Sequence, residues 1–483
     1  MNVTTILVYD LNPGILKLFK NQAIFKSIVL FFLYLLFTTP VFSFNQPSDL
    51  EFSVHKLETN IAGNTILVIG GIQGDEPGGF NAASLLVTHY EILSGNVWVV
   101  PNLNFLSIIK RSRGVYGDLN RKFDNLPSKD PEFQIINRIK KLITDPKVDL
   151  VLNLHDGSGF YRDKYYDRLH NQNRWGQCII IDQNKADLKK FGNLLRLAKT
   201  SVSHMNQHLL KKKELFHVNN TKTAKGNEEM AKTLTYFAIN NGKSAFGVEA
   251  SKSFLTPKRA YYHLLAIESF FNQSSINFKR KFKLSEKHIK KALDDNIQVA
   301  LYNRKVLLKI ENARKSLRYI PLKKDSPIEF KVNNPLMTII TSGDTYSIFH
   351  GNRKLTHLSP QYFEYDFSLK DIDMVVDGAP VTIPFGQIVP VKNSFLVENI
   401  KDHRVNIIGF TTKSKRDESG IKITRNNILK KYSIDKNGNI FRVEVYKSKR
   451  FSGMILVDFG SSKLSKMNVA FKENSNQKNK NFF

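Results

Sequence analysis

Five short apolar runs, at residues 65–69, 97–100, 148–154, 178–181 and 245–248, are separated by stretches whose apolar residues recur at helical spacing, at 80–90, 133–143, 188–210, 228–239 and 261–271. A short continuous apolar run suits a strand that is covered on both faces, and the amphipathic stretches supply the cover. This alternation predicts an α/β domain, with a mixed, largely parallel sheet and helices on both faces. In open sheets of that kind, ligands bind beyond the carboxyl ends of the strands. Polar residues at those ends are therefore the first candidates for chemistry.

Four residues meet that description. The run 65–69 passes into a glycine-rich turn that carries Gln73 and Glu76, and Pro77 then suits a first helical turn. The run 148–154 ends on His155, and 245–248 ends on Glu249. Taken singly, each is ordinary: turns are polar, and a histidine closing a strand most often serves a structural hydrogen bond. Taken together, three of them offer oxygen or nitrogen donors suited to one divalent cation, and the fourth could serve as a base. Catalytic zinc commonly takes three protein ligands and keeps a fourth position for water.

The order Gln73-x-x-Glu76, Asp118-Leu119-Asn120-Arg121, His155, Glu249 resembles that of the carboxypeptidase A-like metallocarboxypeptidases, over roughly residues 57–271. One departure is chemical: where that family normally has a histidine ligand, this chain has Gln73, a neutral and poorer donor. That glutamine, with β domains behind the catalytic one, is similar to the peptidoglycan DL-carboxypeptidases that determine helical cell shape in bacteria.

The resemblance implies one Zn2+ held by Gln73, Glu76 and His155, with Glu249 as general base. It implies that Asn120 and Arg121 grip the substrate's terminal carboxylate and that Arg113 faces the oxyanion, with Arg111 a competitor for that role. Trp175, on the long segment after His155, is a candidate to stack on substrate or to pack in a core. The family's mobile tyrosine has no clear counterpart, since Tyr236 falls in a helical stretch. The implied reaction releases meso-diaminopimelate from a muramyl tripeptide and leaves a dipeptide, so the partner is the peptidoglycan stem. Two rivals are an N-acyl amino acid deacylase of the aspartoacylase type, whose metal-binding turn is similar, and a non-catalytic wall-binding scaffold.

Beyond residue 275 the pattern changes to short, often alternating runs, which read as two small all-β sandwich-like domains at 276–365 and 366–462, open to protein partners. Asn437-Gly438 predicts a hairpin turn between 432–434 and 440–446, because both residues tolerate positive φ. Residues 463–483 form a polar tail. At the other end, Lys17, Lys20 and Lys26 precede an apolar run at 28–37, with Ser43 a small residue two after Val41. That is an export signal spanning 1–43. Its apolar run falls short of the ~20 residues a membrane span needs, which points to a periplasmic protein with no stable span after cleavage. The 72 Lys and Arg against 43 Asp and Glu, a net charge of +29, favour an anionic partner. No nucleic-acid-binding motif accompanies them, and Lys and Arg are spread along the chain, so solvated surface lysines are the plainer reading and an acidic wall polymer is the partner that remains. With Cys178 as the single cysteine, no intramolecular disulfide forms.

Overall fold

A computed structural model describes residues 50–412 and 416–460. The signal segment at 1–43 and the tail at 463–483 lie outside them. The catalytic half begins with strands β1 (His55–Leu57) and β2 (Thr65–Ile69), helix α1 (Pro77–His89), strands β3 (Tyr90–Ser94) and β4 (Asn96–Val100) and helix α2 (Phe105–Lys110). Helix α3 (Phe133–Ile143) leads into β5 (Leu150–Gly157), the two-residue strands β6 (Phe160–Tyr161) and β7 (His170–Asn171), β8 (Cys178–Ile181), α4 (Leu194–Gln207) and β9 (His217–Asn220). Helices α5 (Glu228–Ala231) and α6 (Leu234–Asn240), strand β10 (Ser244–Ser251) and helix α7 (Thr256–Gln273) follow. Strand β11 (Asn277–Arg280), which pairs with β3, and helix α8 (Glu286–Asp294), whose Ile289, Ala292 and Leu293 join the same core, complete it, so this half runs past residue 275.

Seven of these strands form one sheet in the order β1-β4-β2-β5-β10-β8-β9. The centre is parallel, as β4, β2, β5 and β10 run together, while β1 and β8 are antiparallel to their neighbours β4 and β10. β2, β5 and β10 are buried along their whole length, as strands covered on both faces are. Alternate residues on a strand face opposite sides. On β5, Leu154 and Asp156 turn towards α1 and α7, whereas Asn153 and His155 turn the other way, towards the entry to α6. Helices thus cover both faces.

Two helical expectations change in detail. The stretch 228–239 is two helices, because the Thr233 hydroxyl accepts from the Tyr236 N–H at 3.4 Å and caps a fresh start. The stretch 188–210 is helical only over Leu194–Gln207, with Asn193 as its cap.

In the β half, sheets built on Asp371–Val376 and on Ile440–Lys447 pack face to face around Phe395, Val405, Phe441 and Val457. The hairpin Ile440–Lys447/Arg450–Asp458 also sends Tyr446, Phe451 and Leu456 into the core formed with residues 297–365, so one hairpin serves two cores. The Asn437-Gly438 hairpin does not form as expected. Gly438 has a φ of +84°, but the segment before it is a short 3-10 helix, Lys430–Tyr432, and the Asp435 carboxylate takes the Asn439 and Ile440 N–H groups. The strand Ile440–Lys447 instead pairs with Arg404–Ile407 and Arg450–Asp458.

The β half is keyed to the back of the catalytic half. Leu336 packs with Phe80, Phe105 and Ile108. Ser84 Oγ donates to Asn334 at 3.1 Å, and Asn102 Nδ2 donates to the Pro335 carbonyl at 3.2 Å. No described helix is long and apolar enough to cross a membrane.

Candidate active site

The turn after β2 needs glycine twice. Gly71 has a φ of +75°, in the left-handed region that side chains avoid. A Cβ on Gly74 would lie 2.0 Å from the backbone of Ser107, so the loop can press against α2 only with hydrogen there. That tight course delivers Gln73 and then Glu76, the residue preceding α1, to the carboxyl edge of the sheet.

His155 arrives from β5, and Glu249 arrives beside it from β10, directly opposite in parallel register. All four side chains are buried, at 2% to 7% exposure. His155 Nδ1 is 3.1 Å from Gln73 Oε1 and 3.0 Å from Glu76 Oε2. One ring nitrogen carries at most one proton, so the two oxygens and Nδ1 present more lone pairs than protons to a common point. Metal bonds of about 2.0–2.1 Å in a tetrahedral shell separate donors by roughly 3.3 Å, close to the spacings here. The set fits a divalent cation. Among the described residues no group of three or more His, Cys, Asp or Glu could hold a metal; the donor set reaches three only through the amide of Gln73.

Supporting contacts fix these donors. Gln73 Nε2 donates to Asp118 Oδ1 at 2.7 Å, and Asp118 also accepts from the Asn120 N–H and from Arg113. Glu76 Oε2 takes the Asp156 N–H at 3.0 Å, while Glu76 Oε1 faces Lys252 Nζ at 3.3 Å and Arg113 Nη1 at 3.5 Å. Behind His155, the Asp156 carboxylate is clamped by the Gly78 N–H, Arg259 and His263. Burial would raise the Asp156 carboxyl, but His263, Arg259 and that N–H hold it below the usual carboxylate range. Asp156 thereby ties α1 and α7 to the strand that carries His155.

Glu249 is different. Its Oε2 has no partner among the described residues, and burial, then the charges of Glu76 and Asp156, push its carboxyl well above the usual range. A carboxyl that readily holds a proton, with one oxygen free in a cleft, has the properties of an acid–base catalyst.

The residues expected from sequence converge on one cavity of about 270 Å³, lined by Gln73, Glu76, Arg113, Asn120, Arg121, His155, Trp175 and Glu249. Arg121 reaches Glu229 Oε2 at 3.5 Å, a carboxylate that is 66% exposed and easily displaced by a better anion. Asn120 is more committed: its Oδ1 accepts the Leu234 N–H at 3.0 Å, and its Nδ2 lies 3.4 Å from His155 Nε2. Arg111, the competitor of Arg113, faces away; its Nε donates to the Asn352 carbonyl at 2.7 Å and binds the β half. Arg162 is likewise spent on the carbonyls of Tyr161, Leu215 and Lys213.

Among the cavity residues that the sequence does not single out are Lys252, Thr235 and Asn153. Lys252 lies beyond the end of β10, and a lysine after a strand carries no signal of its own. Thr235 comes with the helix start that had been read as mid-helix. Asn153 is fully buried within an apolar run, and neither its Oδ1 nor its Nδ2 has a partner among the described residues. A polar interruption of an apolar strand was the available clue.

An amide-oxygen, carboxylate and imidazole set at the end of a largely parallel sheet, with a buried carboxyl beside it and arginines at its mouth, defines a metallocarboxypeptidase. A family model described as the catalytic part of carboxypeptidases controlling helical cell shape matches residues 31–294, and one for the C-terminal domain of metallo-carboxypeptidase matches 365–460. The chain belongs to this family of cell-shape carboxypeptidases. It is similar to the apo form of the cell shape determinant protein Csd4 from Helicobacter pylori, at 39% identity and a TM-score of 0.78, covering 84% of this chain and 100% of that one. The tripeptide-bound form of that protein matches at 39% identity and a TM-score of 0.77, over 84% and 100% of the two chains. Its mDAP-bound form, described as a D,L-carboxypeptidase, matches at 39% identity and a TM-score of 0.78, over 84% and 99%. No curated protein matches the chain. Membership sets aside both the deacylase and the non-catalytic scaffold.

Proposed function

We propose that this chain is a zinc-dependent DL-carboxypeptidase of the periplasm, which removes meso-diaminopimelate from the muramyl tripeptide of peptidoglycan and leaves the dipeptide. The observation that carries the reading is the placement of Glu249 beside His155, with Gln73 Oε1 and Glu76 Oε2 within 3.1 Å of His155 Nδ1. The tripeptide- and mDAP-bound forms of the relative support the substrate.

Gln73, Glu76 and His155 hold the metal. What zinc supplies when bound is Lewis acidity towards the scissile carbonyl and a lowered pKa for water. Arg121 releases Glu229 and takes the terminal carboxylate of the substrate in a two-pronged hydrogen bond. Glu249 Oε2 accepts a proton from water as its oxygen attacks the carbonyl carbon, then passes that proton to the leaving amine nitrogen. Arg113, half exposed and held at its base by Asp118, turns its guanidinium to the charge that builds on the carbonyl oxygen. Diaminopimelate carries charged groups on its side chain, and the unpartnered amide of Asn153 with Thr235 gives that side chain a polar wall.

Mass spectrometry of muramyl tripeptide incubated with the zinc-loaded chain tests the reading. Dipeptide and free diaminopimelate appear in equal amounts, and a chelator stops them. Tripeptide left intact by zinc-loaded protein overturns it.

A further inference from the structure

A second cavity, of about 740 Å³, opens in the β half, far from the catalytic residues in sequence and built from other elements: the strands Ser316–Lys323, Arg404–Ile407 and Ile440–Lys447 and the segment 431–434. Its lining holds five cationic side chains, Arg314, Arg318, Arg404, Lys431 and Arg442, and one carboxylate, Glu444. That carboxylate is already taken, since Arg442 Nη1 lies 3.1 Å from Glu444 Oε1.

Arg314 is held by neutral groups alone among the contacts it makes. Arg314 donates to the Ser433 carbonyl at 2.8 Å, the Lys430 carbonyl at 2.8 Å and Ser433 Oγ at 3.0 Å. Arg404 lies over the Tyr446 ring at 4.3 Å. Neutral acceptors fix a guanidinium without cancelling its charge, so the concavity is a preorganised positive site. Arg442 is 4% exposed, yet its Nε has no partner among the described residues.

The rim carries aromatic rings. Arg318 and Tyr319 lie at a register shift in the strand Ser316–Lys323, and Arg442 donates to both of their carbonyls, at 3.1 Å and 2.9 Å. Tyr319 has a φ of +57°, in the left-handed region that side chains avoid, and its ring is presented to solvent at 63% exposure. Tyr432, 43% exposed, stands on the same cavity. Strain that projects an aromatic ring beside fixed cations is the arrangement of a ligand clamp.

From this we infer that the cavity at Arg314, Arg404 and Arg442 is a second, non-catalytic binding site for the anionic glycan–peptide strand of the cell wall, stem carboxylates meeting the arginines and a sugar ring lying on Tyr319. The site rests on the carboxypeptidase reading for its choice of polymer. It gives the enzyme a grip on the strand that is independent of the stem being cut.

The test uses the full chain with Glu249→Gln, which does not cleave, and sacculi whose stems are already trimmed to dipeptide, so the catalytic cavity has no substrate to hold. Adding Arg318→Glu and Lys431→Glu, both exposed positions, lowers co-sedimentation with these sacculi at least tenfold. In the otherwise native chain the same pair leaves kcat/KM on soluble muramyl tripeptide unchanged. Equal sedimentation with and without the reversals overturns the site, and so does displacement of the protein by DNA at concentrations as low as those of soluble muropeptide. Failure of the native chain to cleave tripeptide counts against the catalytic reading alone, because the sedimentation arm needs no turnover.

Discussion

Asp118 Oδ1 accepts a 2.7 Å hydrogen bond from Nε2 of Gln73, and this contact decides which end of the Gln73 amide faces His155. A carboxylate only accepts, so the NH2 group must turn to Asp118 and the carbonyl oxygen must turn to the donor set. The lone pairs of the Gln73 carbonyl oxygen are thereby fixed towards His155 and Glu76. Asp118→Ala frees the amide to rotate, and zinc affinity falls about 10–100-fold, the usual cost of losing such an orienting partner. Competition against a chelating dye measures it. Gln73→His keeps the metal and most of the activity, because imidazole is the better donor and Asp118 can accept its second N–H; complete loss of metal in that variant contradicts the geometry.

Glu249→Gln keeps the shape of the side chain and removes its ability to take a proton. Turnover of muramyl tripeptide drops about 10²–10⁴-fold, while metal content and melting temperature stay near native. Activity within a few-fold of native would remove Glu249 from the role of base.

Asn153→Leu separates recognition from folding. Neither amide atom of Asn153 has a partner among the described residues, so an apolar residue of similar size leaves stability unchanged or slightly raised. The substrate loses a polar contact worth about 1–3 kcal/mol, which appears as roughly a ten- to hundredfold fall in kcat/KM for diaminopimelate-terminated peptide. A Tm that falls by several degrees, with kinetics intact, would make Asn153 structural.

Two histidines set an acid limit. Burial, then the charge of Arg353, lowers His350 to about 3, and burial lowers His55 to about 4. His350 Nδ1 accepts from Arg353 Nη2 at 3.0 Å, an arrangement open only to the neutral ring. The unfolded chain protonates these rings below about pH 6.5, and the folded chain does not. Their contribution is therefore whole above pH 6.5 and is lost as the pH falls towards the folded values. For His350 the slope reaches about 1.4 kcal/mol per pH unit. Urea melts at pH 7, 6 and 5 show falling stability, and His350→Asn flattens the fall.

The edge of the cleft was legible because buried strands are mostly apolar, so the change to a polar residue at His155 and Glu249 marks its opening, although β5 and β10 themselves run two residues further, to Gly157 and Ser251. β2 and α3 follow their apolar patterns from end to end. What escaped depended on a local cap and on contacts distant in sequence. The break at Thr233 was hidden because a capping threonine inside an amphipathic stretch resembles any other. The long strand Arg353–Phe363 was missed because its residues alternate imperfectly and one of its partners, Ser316–Lys323, is parallel and reached only after three intervening strands. Whether Arg111 or Arg113 entered the cleft depended on Asn352, more than two hundred residues away.

Crystals of the zinc-loaded chain, measured on both sides of the zinc absorption edge, test the central claim most directly. The account predicts a single anomalous peak within bonding distance of Gln73 Oε1, Glu76 and His155 Nδ1, absent from His155→Ala. A peak coordinated by other side chains, or none in this cleft at stoichiometric zinc, would contradict it.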